Sequence, residues 1–126
     1  MKFFALILLM LSTSTWANEC VHQTKERLCV SLEWVEGPYL NAYSKNIVTF
    51  QDIDTKEFKT PTSAVKFYGW MKMGSHEHGT RPLKTTLLKE GSFENSQIYF
   101  MGGMMGTWEF KLKVGDEDIV LFSMNT

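Results

Sequence analysis

The chain has 126 residues, with 13 Lys+Arg against 14 Asp+Glu and a formal net charge of −1 at pH 7. It contains no basic block, so it has no electrostatic footing for nucleic acid or for an anionic membrane surface. At 44% hydrophobic and 13% aromatic it is too polar for a membrane protein and too aromatic for a disordered one.

The first element in chain order is a leader. Met1-Lys2 is basic, residues 3–11 form an unbroken apolar run, and Thr15-Trp16-Ala17 fits the small-x-small cleavage pattern. The run is too short to span a bilayer, and no second apolar run follows it. The expectation is a signal peptide over residues 1–17 and a single exported domain over 18–126, periplasmic or otherwise secreted, with no membrane span after cleavage.

Cys20 and Cys29 come next, and export places them in an oxidising compartment. An even number of cysteines there reads as a disulfide, worth about 2–3 kcal/mol on the loop-entropy argument. Lipidation of Cys20 would need a small residue before it, and Glu19 is not one. The spacing of the pair is not that of a zinc or redox motif. The segment is expected to form a hairpin with a cross-strand bridge, leaving His22 in its turn.

Beyond Cys29 the dominant period is two. Over residues 28–35, Leu28, Val30, Leu32 and Trp34 share one face. Over residues 107–114, Trp108, Phe110, Leu112 and Val114 alternate with polar side chains. Strict alternation of this kind predicts half-buried strands. Weaker strands are expected over 46–51, 64–71, 82–88, 96–101 and 118–124, separated by glycine, proline and aspartate turn signals. About seven short strands without a 3.6-residue period predict an all-β fold, a two-sheet antiparallel β-sandwich.

Methionine is the unusual residue. Five of the eight lie between Met71 and Met105. One group is Met71-Lys-Met73-Gly-Ser-His76-Glu-His78-Gly79, at the end of a strand and entering a loop. The other is Met101-Gly-Gly-Met104-Met105-Gly106, expected as a hairpin connection between the strands on either side. Residues at i and i+2 of an extended chain project together, so Met71 pairs with Met73 and His76 with His78. Thioether sulfur is soft and uncharged and suits Cu(I); imidazole suits both oxidation states of copper. With both cysteines paired, no thiolate remains for a blue-copper centre, and the ligand set of a hydrolytic zinc site is missing.

Other readings stand beside this one. Met71 has the parity of Val65, Phe67 and Gly69 and fits a core position. His76 and His78 fit a solvated loop. Met104 and Met105 in a glycine-rich turn suit either a metal or a protein partner. Trp70 and Trp108 are structural or wall a metal site. Catalytic constellations are weak: Ser75-His76 is no triad, Glu77 diverges from its flanking histidines, and no phosphate-cradling loop occurs. The chain is therefore expected not to be an enzyme.

The order Gly37-Pro38, Met71-x-Met73, His76-x-His78-Gly79, Gly91-Ser-Phe93 and Met104-x-Gly106-x-Trp108 resembles the FixH/YtkA-like family of exported immunoglobulin-like domains. Members read Met-Pro-x-His-Gly, Gly-x-Tyr and Met-x-Gly-x-Trp in that order, and the likeness spans about residues 37–114. The resemblance implies an immunoglobulin-like sandwich and copper handling outside the inner membrane, including supply to terminal oxidases. It places Met71, Met73, His76, His78 and Met104 at the family's Met/His positions, with Met101 and Met105 additional. This chain departs from the pattern in lacking a proline between Met73 and His76, in having Phe93 for tyrosine, and in lacking an anchor beyond the leader.

The expectation is a soluble periplasmic copper chaperone or buffer using Met71, Met73, His76, His78, Met101, Met104 and Met105, favouring Cu(I) and accommodating Cu(II) through the histidines. A copper donor or acceptor protein would be its partner. The alternative is a metal-free periplasmic interaction module with a Met-rich contact tip.

Overall fold

Alternation of apolar and polar side chains organises the chain into nine strands: β1 (His22–Gln23), β2 (Leu28–Glu36), β3 (Tyr43–Asp52), β4 (Val65–Met73), β5 (His76–Gly79), β6 (Lys84–Lys89), β7 (Ser92–Tyr99), β8 (Thr107–Val114) and β9 (Glu117–Asn125). The structure, a computed structural model, describes residues 16, 19–103 and 105–126. The expected leader lies outside the described residues except for Trp16, whose ring sits 3.8 Å beneath Lys56 Nζ. Met104 also lies outside them.

The strands form two antiparallel sheets, β1-β2-β3-β7-β6 and β5-β4-β8-β9. The all-β sandwich is as expected. Seven of its strands, β2-β3-β7-β6 facing β4-β8-β9, follow the immunoglobulin order. The short strands β1 and β5 are additional, one at an edge of each sheet.

The core is built from the apolar half of each alternation. Leu28, Val30, Val48 and Phe50 face Phe67, Trp108, Phe110 and Leu112 across the sandwich. Trp34 meets Phe100, Phe110 and Phe122 edge-on, with ring centroids 6.3, 6.0 and 5.1 Å away. One inward row is polar. Asn46, Asn95 and Thr85 are aligned across β3, β7 and β6. Asn95 Nδ2 donates to Asn46 Oδ1 at 3.1 Å, and Thr85 Oγ1 donates to Asn95 Oδ1 at 2.7 Å.

Cys20 and Cys29 form the disulfide, with Cα atoms 5.6 Å apart. It fastens the segment leading into β1 to the start of β2, and it belongs to an oxidising compartment outside the cytosol. His22 lies in β1, not in a turn, with Nε2 3.4 Å from Glu117 Oε1. Among the described residues no helix is long and apolar enough to cross a membrane.

Two expectations about connectivity are corrected. The strand expected over 96–101 is β7, Ser92–Tyr99; its polar first half carries Ser92, Glu94 and Asn95, which hides it from a hydrophobic pattern. Residues 100–106 are not a hairpin connection. β7 belongs to the five-stranded sheet and β8 to the four-stranded one, so this segment crosses between sheets. Periodicity reports which face a residue takes but not which sheet its strand joins.

Candidate metal centre

β4 carries Met71 and Met73 on its inward face, two residues apart. The chain then reverses through Gly74 and Ser75, with Gly74 at φ 56°, a left-handed conformation that glycine adopts without steric cost. This tight turn sets the register of β5. Met73 stands opposite His76 and Met71 opposite His78. Directly opposed residues of antiparallel strands share a face, with Cβ atoms about 5 Å apart. The sequence pattern put Met71 with Met73 and His76 with His78; the register adds that each methionine stands opposite a histidine, as two Met–His pairs. The intervening Lys72 and Glu77 take the other face. There Glu77 accepts from Trp70 Nε1 at 3.4 Å, and Lys72 Nζ lies 3.5 Å from Glu109 Oε1.

The row continues across the sheet. Met71 is opposite Trp108 of β8, and Trp108 is opposite Met124 of β9. His78 stands edge-on to Trp108, with ring centroids 6.2 Å apart. His78 Nδ1 lies 3.2 Å from the Gly79 carbonyl oxygen. A carbonyl only accepts, so Nδ1 is the donor in that bond, and Nε2 takes no part in it.

The second methionine segment reaches the same place. Thr107 is opposite Lys72, so Gly106 follows on beside Met73. A Cβ placed on Gly106 would lie 2.5 Å from the Lys72 carbonyl oxygen, 3.0 Å from Met71 Cε and 3.1 Å from Met73 Cγ. Only glycine allows this approach. At the other end of the crossing segment, the Met101 carbonyl accepts from Trp108 Nε1 at 2.8 Å. Gly102 N donates to Asn41 Oδ1 at 2.8 Å, and Asn41 N donates to the Phe100 carbonyl at 2.8 Å. The crossing segment is thereby tied to the β2–β3 loop as well as to β8.

The expected residues divide by burial. Met71 is fully buried, at 0% exposure, and belongs to the core. Met73 is half-buried against that core. His76 and His78 are exposed. Met101 is 42% exposed and Met105 90% exposed. Met104, between them, lies outside the described residues.

Sequence reasoning named Gly106 within the second methionine segment but not its approach to Met73, and did not pick out Met124, Tyr39 or Leu40 as neighbours. Gly106 and Met124 join the cluster through strand register alone. Tyr39 (48% exposed) and Leu40 (43%) are presented by the β2–β3 loop that is fastened to the crossing segment.

Chemically, this end of the sandwich offers neutral, soft donors. Among the described residues no three His, Cys, Asp or Glu side chains come within metal-holding distance of one another. The thioether sulfur and imidazole at this end are a donor set that fits Cu(I) and gives little to zinc, magnesium or calcium.

No protein-family model matches the chain, and neither the curated proteins nor the solved structures contain a match.

Proposed function

We propose that this chain is a periplasmic copper-binding protein, a chaperone or buffer whose cargo is Cu(I). The observation that carries the reading is the register of the β4–β5 hairpin: two same-face Met–His pairs walled by Trp108, with the methionine-bearing crossing segment beside Met73. His76, His78 and Met73 supply the hairpin's donors. Met101, Met104 and Met105 supply sulfur from the crossing segment. Met71 underlies the site as packing. Cu(II) is a secondary cargo, held through the two imidazoles. Delivery to or from a partner protein follows from accessible ligands on an edge hairpin and the crossing segment, and the reading is of binding rather than catalysis.

The test is an anaerobic Cu(I) titration of the purified protein against a chromophoric chelator. Stoichiometric binding tighter than about 1 μM, about −8 kcal/mol, is expected. Absence of competition would make the Met and His residues contact surface. The exposed Tyr39, Leu40, Met101 and Met105 favour that second reading, a metal-free interaction tip. It requires that partner capture survive replacement of both His76 and His78 by Ala.

A further inference from the structure

β4 is paired with β8 from Val65 to Lys72, but away from the methionine end its other edge has no strand beside it among the described residues. β5 covers only Trp70–Met73, and its ladder ends where Thr80 N donates to the Gly69 carbonyl at 3.0 Å. The chain then leaves for the other sheet through Arg81, Pro82 and Leu83. In an antiparallel ladder alternate residues direct their N–H and C=O to opposite sides. Gly69 faces the β5 side. Phe67 and Val65, two and four residues earlier, face the same side, where no strand stands among the described residues. The Ala64 carbonyl accepts from Gly115 N at 2.9 Å on the β8 side, which fixes the same alternation independently.

This edge is not sealed. A cleft of about 490 Å³ runs along it, between β4 and the segment that crosses to β6. Its walls are apolar at Val65, Phe67, Pro82 and Leu83. Among the described residues its charged lining consists of Lys66 and Arg81, with no carboxylate. Among the described residues neither cation has an ion-pair partner; Arg81 rests over the Tyr99 ring at 4.5 Å and Lys66 near the Tyr68 ring at 5.7 Å.

We propose that the open edge of β4 over residues 65–69 is a docking site for an extended, acidic segment of a partner protein, which adds to the sheet as an antiparallel strand. The backbone groups of Val65 and Phe67 supply the ladder, the apolar walls take alternate side chains of the added strand, and Lys66 and Arg81 select for carboxylates on it. The five-residue edge spans about 17 Å at roughly 3.4 Å per residue, enough for a short strand. Charge argues against a second copy as the occupant, because two such edges would bring Lys66 and Arg81 of both copies together.

The probe is a blocked six-residue peptide of alternating valine and glutamate, titrated into the full protein and followed by amide hydrogen exchange. Saturable binding with slowed exchange at Val65 and Phe67, and no change along β9, is expected. The same peptide N-methylated at alternate residues cannot complete the ladder and is expected not to bind. Arg81→Glu and Lys66→Glu are each expected to weaken binding about tenfold. Equal binding of the N-methylated peptide, or of a lysine-for-glutamate peptide, would overturn the proposal. So would self-association on sedimentation that slows the same two amides without peptide, because the occupant would then be a second copy.

Discussion

Met71 separates packing from ligation, because its side chain sits under the candidate site while making core contacts. It is 0% exposed, with Trp108 opposite on one side and His78 on the other. Met71→Ala deletes three heavy atoms beyond Cβ. At about 0.8 kcal/mol for each buried methylene-sized group the lost transfer term is about 2.4 kcal/mol. A residual cavity of roughly 50 Å³ adds about 1.2 kcal/mol. The sum, about 3–4 kcal/mol, lies within the range for buried Met truncations and would lower the melting temperature of a domain this size by more than about 12 °C. Met71→Leu conserves volume and is expected to cost under about 1.5 kcal/mol. Urea unfolding measures both. Cu(I) competition on Met71→Leu then isolates the sulfur: affinity is expected to stay within about threefold of the parent, while Met73→Leu weakens it about tenfold or more, roughly 1.4 kcal/mol. If Met71→Leu loses as much affinity as Met73→Leu, Met71 is a ligand and the packing argument is wrong.

Gly106→Ala forces a Cβ to within 2.5 Å of the Lys72 carbonyl oxygen; it is expected to destabilise by about 1–3 kcal/mol and to weaken Cu(I) binding by displacing Met73, both read by denaturant titration with and without metal. Replacing Cys20 and Cys29 by Ala is expected to cost about 2–3 kcal/mol with copper affinity unchanged, since the bridge lies at the start of β2 and the methionine cluster beyond its far end; a parallel loss of affinity would show that the ends are coupled. Burial opposes ionisation of Asp118, but the Tyr68 hydroxyl and the Lys111 ammonium win and hold its carboxyl below the usual aspartate range. A group depressed in the folded state contributes stability above its unfolded pKa, near 3.9, and loses it as pH falls through the lower folded value. Asp118→Asn is expected to flatten the fall in melting temperature below about pH 4, and an unchanged acid limb would assign that fall to other carboxylates.

Strict alternation carried most of the fold. β8 is bounded as expected because Trp108, Phe110, Leu112 and Val114 leave no other parity. β5 has no apolar residue to announce it and exists because the Gly74 turn brings His76–Gly79 alongside β4. The start of β7 is masked by an inward asparagine whose partners lie 49 residues upstream and 10 residues upstream along the chain. At the candidate site, the Met71–Met73 and His76–His78 pairings were legible from i, i+2 spacing, but the face that the two pairs share comes from the β4–β5 register. The approach of Gly106, and the burial that makes Met71 a core residue, depend on register between strands distant in sequence.

The inward Asn46–Asn95–Thr85 row works as an alignment mark for the five-stranded sheet. A slip of β7 against β3 by two residues keeps every side chain on its proper face, so hydrophobic patterning alone would tolerate it. That slip would set Asn46 opposite Phe93 or Gln97 and leave a buried amide without its partner, at about 1–3 kcal/mol for each orphaned group. Because the crossing segment is rooted in β7 through Phe100, the same mark fixes where that segment sets out toward β8. An amide pair in the interior thus sets the course of a connection at the rim.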